Sequence, residues 1–275
     1  MRLDMHSHST ASDGQYSPSE LVKLAYEKNL GIFAITDHDS VNGLEEGRKT
    51  AEKLNLRFIP GIEISAQEDE EIHVLGYEID CNNDQILRCC EEFHNDRLHR
   101  GDRICEFLKS KGIDIDMSSI REIAGNGSLG RPHFARYLID KGYVSERKEA
   151  FDKYLDTPEF LEATRRKEPT VTQAIDIIHS AGGKAVLAHP AFIHKEEDEI
   201  ENMIAGLKEQ GLDGIECFYS KHKKNQADFY LDIAYKYDLK TSCGSDFHGE
   251  NVKADVALGM EFDMEKYGNI FILQL

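Results

Sequence analysis

Apolar residues along this chain fall into two recurring kinds of stretch. Short runs, RLDMH at 2–6, GIFAIT at 31–36, RFIPGIEIS at 57–65 and EIHVLGYEI at 71–79, have the length and patterning of strands. Between them lie longer segments in which apolar positions return every three or four residues, PSELVKLAYEKN at 18–29 and a second at 42–54, which predict amphipathic helices. Ser17 before Pro18 is a helix start, and Gly31 beyond Asn29 and Leu30 marks the stop. The alternation resumes after residue 170: helix 171–181, strand KAVLAHP, helix 197–210, strand GIECFY, helix 222–237, strand TSCGSD and a last apolar FILQL. About seven strands with helices between them predict a parallel sheet closed, or nearly closed, into a barrel.

Residues 84–168 read as helices without strands, broken at GNGSLGRP and at Thr157-Pro158. The predicted division is a barrel domain from 1–83 and 169–275 and a helical insertion domain, 84–168, covering its site. Charge separates the same two parts. The chain carries a net −18, of which residues 81–170 contribute −1 and the remainder −17, so a nearly neutral module interrupts an acidic body. Such acidity argues against a surface that tracks polynucleotide phosphates. No apolar run reaches the ~20 residues that span a bilayer, the first residues lack a signal-peptide pattern, and six cysteines without CxxC spacing read as reduced thiols. A cytoplasmic chain with no membrane role and no obligate protein partner is expected.

Histidines and carboxylates accumulate where strands stop. His6 and His8 end the first, Asp13 follows, Asp37-His38-Asp39 ends the second, Glu63 closes the third, His73 lies in EIHVLGY, His189 ends KAVLAHP, and Asp246 and His248 end the last part of the barrel. In parallel barrels functional groups gather at the carboxyl ends of strands. On an extended chain residues i and i+2 point the same way, so His6 and His8 can bind one ion and Asp246 and His248 one or two adjacent ones. Neutral imidazoles with carboxylates suit Zn²⁺, Mn²⁺ or iron. For His73 and His189 the residue type alone leaves His133, His179 and His194 as competitors.

The ordered segments DMHSHSTASDG, ITDHDS, GIEIS, HVLGY, LAHP and GSDFHG resemble the motifs of the PHP family of polymerase and histidinol phosphatase domains, from residue 1 to about residue 250. Within it the size, the helical insert and GRPH at 130–133 are most similar to stand-alone phosphoesterases that include nucleoside 3′,5′-bisphosphate phosphatases and 5′→3′ exoribonucleases. The resemblance implies a distorted (β/α)7 TIM-like barrel with three divalent ions, Mn²⁺ foremost with Fe²⁺ or Zn²⁺ as alternatives. It implies that His6, His8, Glu63 and Asp246 hold one ion, that Glu63 bridges to a second held by His73 and His189, and that Asp13, His38 and His248 hold the third. Asp13 stands where some relatives carry histidine. Against the three carboxylates of this set, three ions leave about +3 at the mouth of an acidic barrel, a field that draws in a compact phosphate.

A catalytic hydroxide held by Glu63, Asp246 and His189 would then attack the 3′-phosphate of a nucleoside 3′,5′-bisphosphate. The alternatives are trimming of short RNA from its 5′ end and a non-catalytic metal- or nucleotide-binding module. In the helix from Asp84, apolar positions Ile86, Cys90, Phe93, Ile104 and Phe107 recur with Arg97 and Arg100 on the same stripe. An arginine on an apolar stripe calls for an anion. The two are expected to clamp the second, non-reacting phosphate of the small nucleotide, with Arg131 and His133 of GRPH as further substrate contacts and Lys167 as solvent-exposed.

Overall fold

The computed structural model describes residues 1–124, 130–165 and 168–273, and every side chain there except those of Arg97 and Leu98. In chain order the elements are β1 (Arg2–Asp4), α1 (Pro18–Glu27), β2 (Ile32–Ile35), α2 (Leu44–Leu54), β3 (Arg57–Gln67), β4 (Glu71–Tyr77), α3 (Asp84–Ser110), α4 (Met117–Ala124), α5 (Arg131–Asp140), α6 (Arg147–Ala150) and α7 (Pro158–Ala163). There follow α8 (Val171–Ser180), β5 (Lys184–Leu187), α9 (Glu197–Glu209), β6 (Gly214–Tyr219), α10 (Lys224–Lys236), β7 (Lys240–Gly244), β8 (Met260–Glu261) and α11 (Met264–Tyr267). The chain divides into two units, Met1–Cys90 with Glu168–Leu275, and Glu91–Lys167.

The first unit holds an eight-stranded sheet in the order β7-β6-β5-β4-β3-β2-β1-β8. It closes nearly into a barrel because the ends of β1 and β7 also meet. The Met5 amide donates to Cys243 O at 3.0 Å, His8 N to Phe247 O at 2.9 Å and Asp246 N to His6 O at 2.8 Å. The pairs β1–β2, β2–β3, β5–β6 and β6–β7 are parallel, as the βα alternation predicts, but β4 runs antiparallel to both β3 and β5. The cause is the three-residue link Glu68–Glu70, too short for the crossover that a parallel pair requires. Reversal puts the start of β4, rather than its end, at the mouth, and Ser65 pairs there with His73.

Local chemistry sets the helix starts. Ser17 Oγ accepts from Glu20 N while Glu20 Oε2 accepts from Ser17 N, and Thr170 and Gln173 repeat this reciprocal cap at α8. Leu21, Val22 and Ala25 of α1 and Val171, Ala174, Ile175 and Ile178 of α8 are buried, so each helix lays one apolar face down and leaves the strand ends open. Leu3, Met5, Ile32, Leu75, Tyr77, Val186 and Cys243 form a core cluster with Phe262 and Phe271.

The second unit is helical, without strands among its described residues, and has its own core around Leu108, Ile120, Phe134, Leu138, Leu155 and Phe160. Pro132 lies in the first turn of α5, while residues 125–129 of the glycine-rich segment before it, and Lys167, lie outside the described residues. No helix among the described residues is long and apolar enough to cross a membrane.

Candidate metal centre

Glu63, without solvent exposure in β3, is the hub of the first unit. Its Oε2 lies 3.1 Å from His6 Nε2, 3.2 Å from His8 Nε2 and 3.2 Å from His38 Nδ1. Its Oε1 lies 2.9 Å from His73 Nδ1 and 3.0 Å from His189 Nε2. Residues as far as 126 positions from Glu63 therefore meet on its carboxylate. Asp246 Oδ1 stands 3.3 Å from His8 Nε2 and 3.6 Å from His6 Nε2, and Asp13 Oδ1 stands 3.4 Å from His248 Nε2. Ligand-type atoms fall into three groups, each within 4.8 Å: His6, His8, Glu63 and Asp246; His8, Asp13, His38 and His248; and His38, Glu63 and His73. His8 belongs to two of them and Glu63 to two.

The arrangement fits metal better than it fits hydrogen bonding. His6 Nε2, both nitrogens of His8, His38 Nδ1 and Glu63 Oε2 are buried and make no hydrogen bond, a costly state for polar atoms unless something else satisfies them. The protonation energetics agree. Burial opposes the charged imidazole of His6, but Glu63, Glu216 and Asp246 outweigh it and hold the pKa well above the ordinary value. Burial is likewise outweighed at His8, raised to about 9 by Asp246 and Glu63, and at His73, raised to about 10 by Glu63 and Glu71. His38 goes the other way, to about 3, through burial and the neighbouring His8 and His73. At Glu63 and Asp246 burial is overcome by the surrounding histidines, so both carboxylates stay ionised. A cluster that pulls protons onto buried imidazoles is short of positive charge, and divalent cations binding there would displace those protons.

Behind the ligand-type atoms stands a second layer, of whose carboxylates the sequence singled out only Asp37 and Asp39. Glu216 Oε1 accepts from His6 Nδ1 at 3.0 Å, which turns the Nε2 lone pair toward the cluster, and Glu216 Oε2 accepts the His189 amide at 2.8 Å. Its one legible sign is a lone carboxylate in the apolar run GIECFY. His248 Nδ1 donates to Asp246 O at 2.9 Å, and His73 Nε2 to Glu71 Oε1 at 3.1 Å. On Asp246, Oδ2 is taken up by the Tyr219 hydroxyl at 2.9 Å and Lys253 Nζ at 2.7 Å, leaving Oδ1 for the histidines. Asp4, Asp37 and Asp39 pin the strand ends: Asp4 accepts from His6 N, Ser245 N and Oγ, and Gly259 N; Asp37 from Ser9 and Ser12; Asp39 from Ser65. Asp39, His189 and Asp246 hold positive φ of 52°, 24° and 61°, a conformation that non-glycine residues adopt at a cost when the surroundings impose it.

All nine residues expected to bind metal are brought together. Of the competing histidines, His179 pairs with Asp213 at 2.8 Å and His194 with Glu70 at 3.1 Å. In the second unit, Arg131 is bound to Asp156 at 2.8 Å and His133 Nδ1 accepts from Gly130 N at 3.1 Å. Arg100 is partly buried, and the Arg97 side chain lies outside the described residues.

The sequence pattern of the family described as PHP domain matches residues 4–163. The chain is 34% identical over 250 residues to a 5′-3′ exoribonuclease of Haemophilus influenzae, covering 90% of each chain. It is 30% identical over 248 residues to a 3′,5′-nucleoside bisphosphate phosphatase of Chromobacterium violaceum, covering 90% of this chain and 87% of the other. A crystal structure from Bifidobacterium adolescentis, assigned as a metal-dependent phosphoesterase, superimposes with a TM-score of 0.72 at 28% identity over 98% of this chain and 94% of that one.

Proposed function

The chain belongs to the PHP domain family, and on that premise we propose that this metal-dependent phosphoesterase removes the 3′-phosphate from nucleoside 3′,5′-bisphosphates in the cytoplasm. The observation that carries the reading is the set of buried, unbonded ligand-type atoms around Glu63. Three ions, manganese foremost, would be held by His6, His8, Glu63 and Asp246; by Glu63, His73 and His189; and by Asp13, His38 and His248. When bound, such ions supply Lewis-acid polarisation of the phosphoryl oxygens and a water acidic enough to attack near neutral pH.

The chain's own residues do the rest. Glu63 keeps two groups of ligands at fixed separation, because each of its oxygens already faces a different set of histidines. Glu216 fixes the tautomer of His6 and ties it to the backbone of His189. Tyr219 and Lys253 hold Asp246 on one oxygen, and the buried walls keep bulk water from His6, His8 and Glu63. Arg97 and Arg100 are proposed to bind the phosphate that does not react, by forked hydrogen bonds; the support is their place on the α3 stripe. All six cysteines are free thiols, in keeping with a reducing compartment.

A second reading, stepwise release of nucleotides from the 5′ end of short RNA by the same centre, is favoured by the similarity to the Haemophilus influenzae exoribonuclease. One panel separates the two. Phosphate and nucleotide release are measured with manganese on nucleoside 3′,5′-bisphosphates, mononucleotides, histidinol phosphate and RNAs of two to ten nucleotides. The proposal expects the bisphosphates to have the highest kcat/KM; an RNA preference that grows with length replaces it by the second reading. Activity on none of the nucleotides overturns both.

A further inference from the structure

Phe192 is a large apolar side chain that the reaction as described leaves idle. It is 51% exposed, whereas Ile193 beside it is buried, so the chain has an inward apolar position at this turn and uses it for another residue. Its place is set by the 3-10 turn Pro190–Phe192, whose start is His189. The Phe192 amide donates to His189 O at 3.1 Å, and residues three apart in such a turn eclipse one another. Accordingly the phenyl ring stands 5.5 Å from the His189 imidazole, tilted by 52°. Tyr219, the residue whose hydroxyl holds Asp246, meets it edge-on at 5.6 Å and 83°.

The ring is thus fixed by two members of the centre's surroundings and half open to solvent, within one residue's reach of the atoms that flank Glu63. We propose that Phe192 is the surface on which the substrate's heterocyclic base stacks, the base being carried on the sugar that bears the reacting phosphate. The inference rests on the nucleotide reading above and deepens it, since it assigns the recognition of the base to a named side chain. Stacking on a phenyl face uses the π-surface common to all nucleobases, so the site would accept purines and pyrimidines alike and favour the larger ring systems.

The test compares the manganese-reconstituted wild type with Phe192→Ala and Phe192→Trp on adenosine 3′,5′-bisphosphate and on the corresponding base-free sugar bisphosphate. Calorimetric binding of adenosine 5′-monophosphate and of ribose 5-phosphate is measured in parallel. Phe192→Ala is expected to raise KM for the base-bearing substrate, and Kd for the nucleotide, by about tenfold. The values for the two base-free compounds and kcat should stay within twofold, and Phe192→Trp should restore or exceed wild-type binding. An equal loss on base-bearing and base-free compounds, or no loss on either, overturns the stacking role and leaves the nucleotide reading standing. Failure of the wild type to cleave either bisphosphate overturns that reading, and the proposal with it.

Discussion

Asp246 shows how a single side chain is prepared as a candidate ligand. Its two oxygens are treated differently, Oδ1 facing His6 and His8 and Oδ2 facing Tyr219 and Lys253. Lys253→Met is expected to lower metal affinity by roughly 10–100-fold, as loss of a group orienting a ligand does, with Lys253→Arg close to wild type. Titration calorimetry with manganese reads this directly, and unchanged or tighter binding by the methionine variant would show that the lysine does not orient the carboxylate. Glu216→Gln should weaken manganese binding to a similar degree, because an amide can present its NH₂ to His6 Nδ1 and turn the imidazole away; the same titration checks it, and wild-type affinity would refute it. The candidate ligand residues were legible as a cluster because they recur as alternating pairs and at strand ends. Glu216, Tyr219 and Lys253 were not, since their role depends on which residue of another strand lies opposite, and one sequence does not display that.

At the scale of the element, β1, β6 and β7 are packed so closely that position 244 admits no side chain. A methyl group on Gly244 would lie 2.3 Å from His6 Cβ and 2.8 Å from Glu216 Oε1. Gly244→Ala should therefore destabilise the barrel by about 1–3 kcal/mol and displace His6 from Glu63. A lowered denaturation midpoint together with a reduced manganese stoichiometry is the expected pair of results, and full stoichiometry would show that His6 had kept its place. Helix positions were readable from periodicity and caps, with α1 beginning at Pro18 and α8 at Val171 where the sequence places them. The direction of β4 was hidden, because EIHVLGY has the same pattern whichever way it runs and only the short link before it decides.

Across the whole molecule the two units differ in what should stabilise them. The candidate ligands all belong to the unit made of Met1–Cys90 and Glu168–Leu275, while Glu91–Lys167 has a separate apolar core. An ion present at a thousandfold its Kd stabilises the state that binds it by about 4 kcal/mol. Chelation should accordingly speed hydrogen exchange in β1, β3 and β7 while leaving α5 and α7 unchanged, and a uniform change across both units would contradict this. The contrast of a near-neutral segment inside an acidic chain was visible in the sequence. The crossing from one unit to the other within α3 was not, since the apolar repeat there runs on without a break.

The left-handed backbone at His189 and Asp246 sets two demands against each other. Glycine is the residue that suits such torsion angles, and it is also the one that can bind nothing. In a saturation library, glycine at 189 and 246 should be tolerated when variants are ranked by cellular abundance and eliminated when they are ranked by turnover. The gap between the two rankings at these codons would measure how much ease of folding the protein has given up in order to keep a candidate ligand at each position.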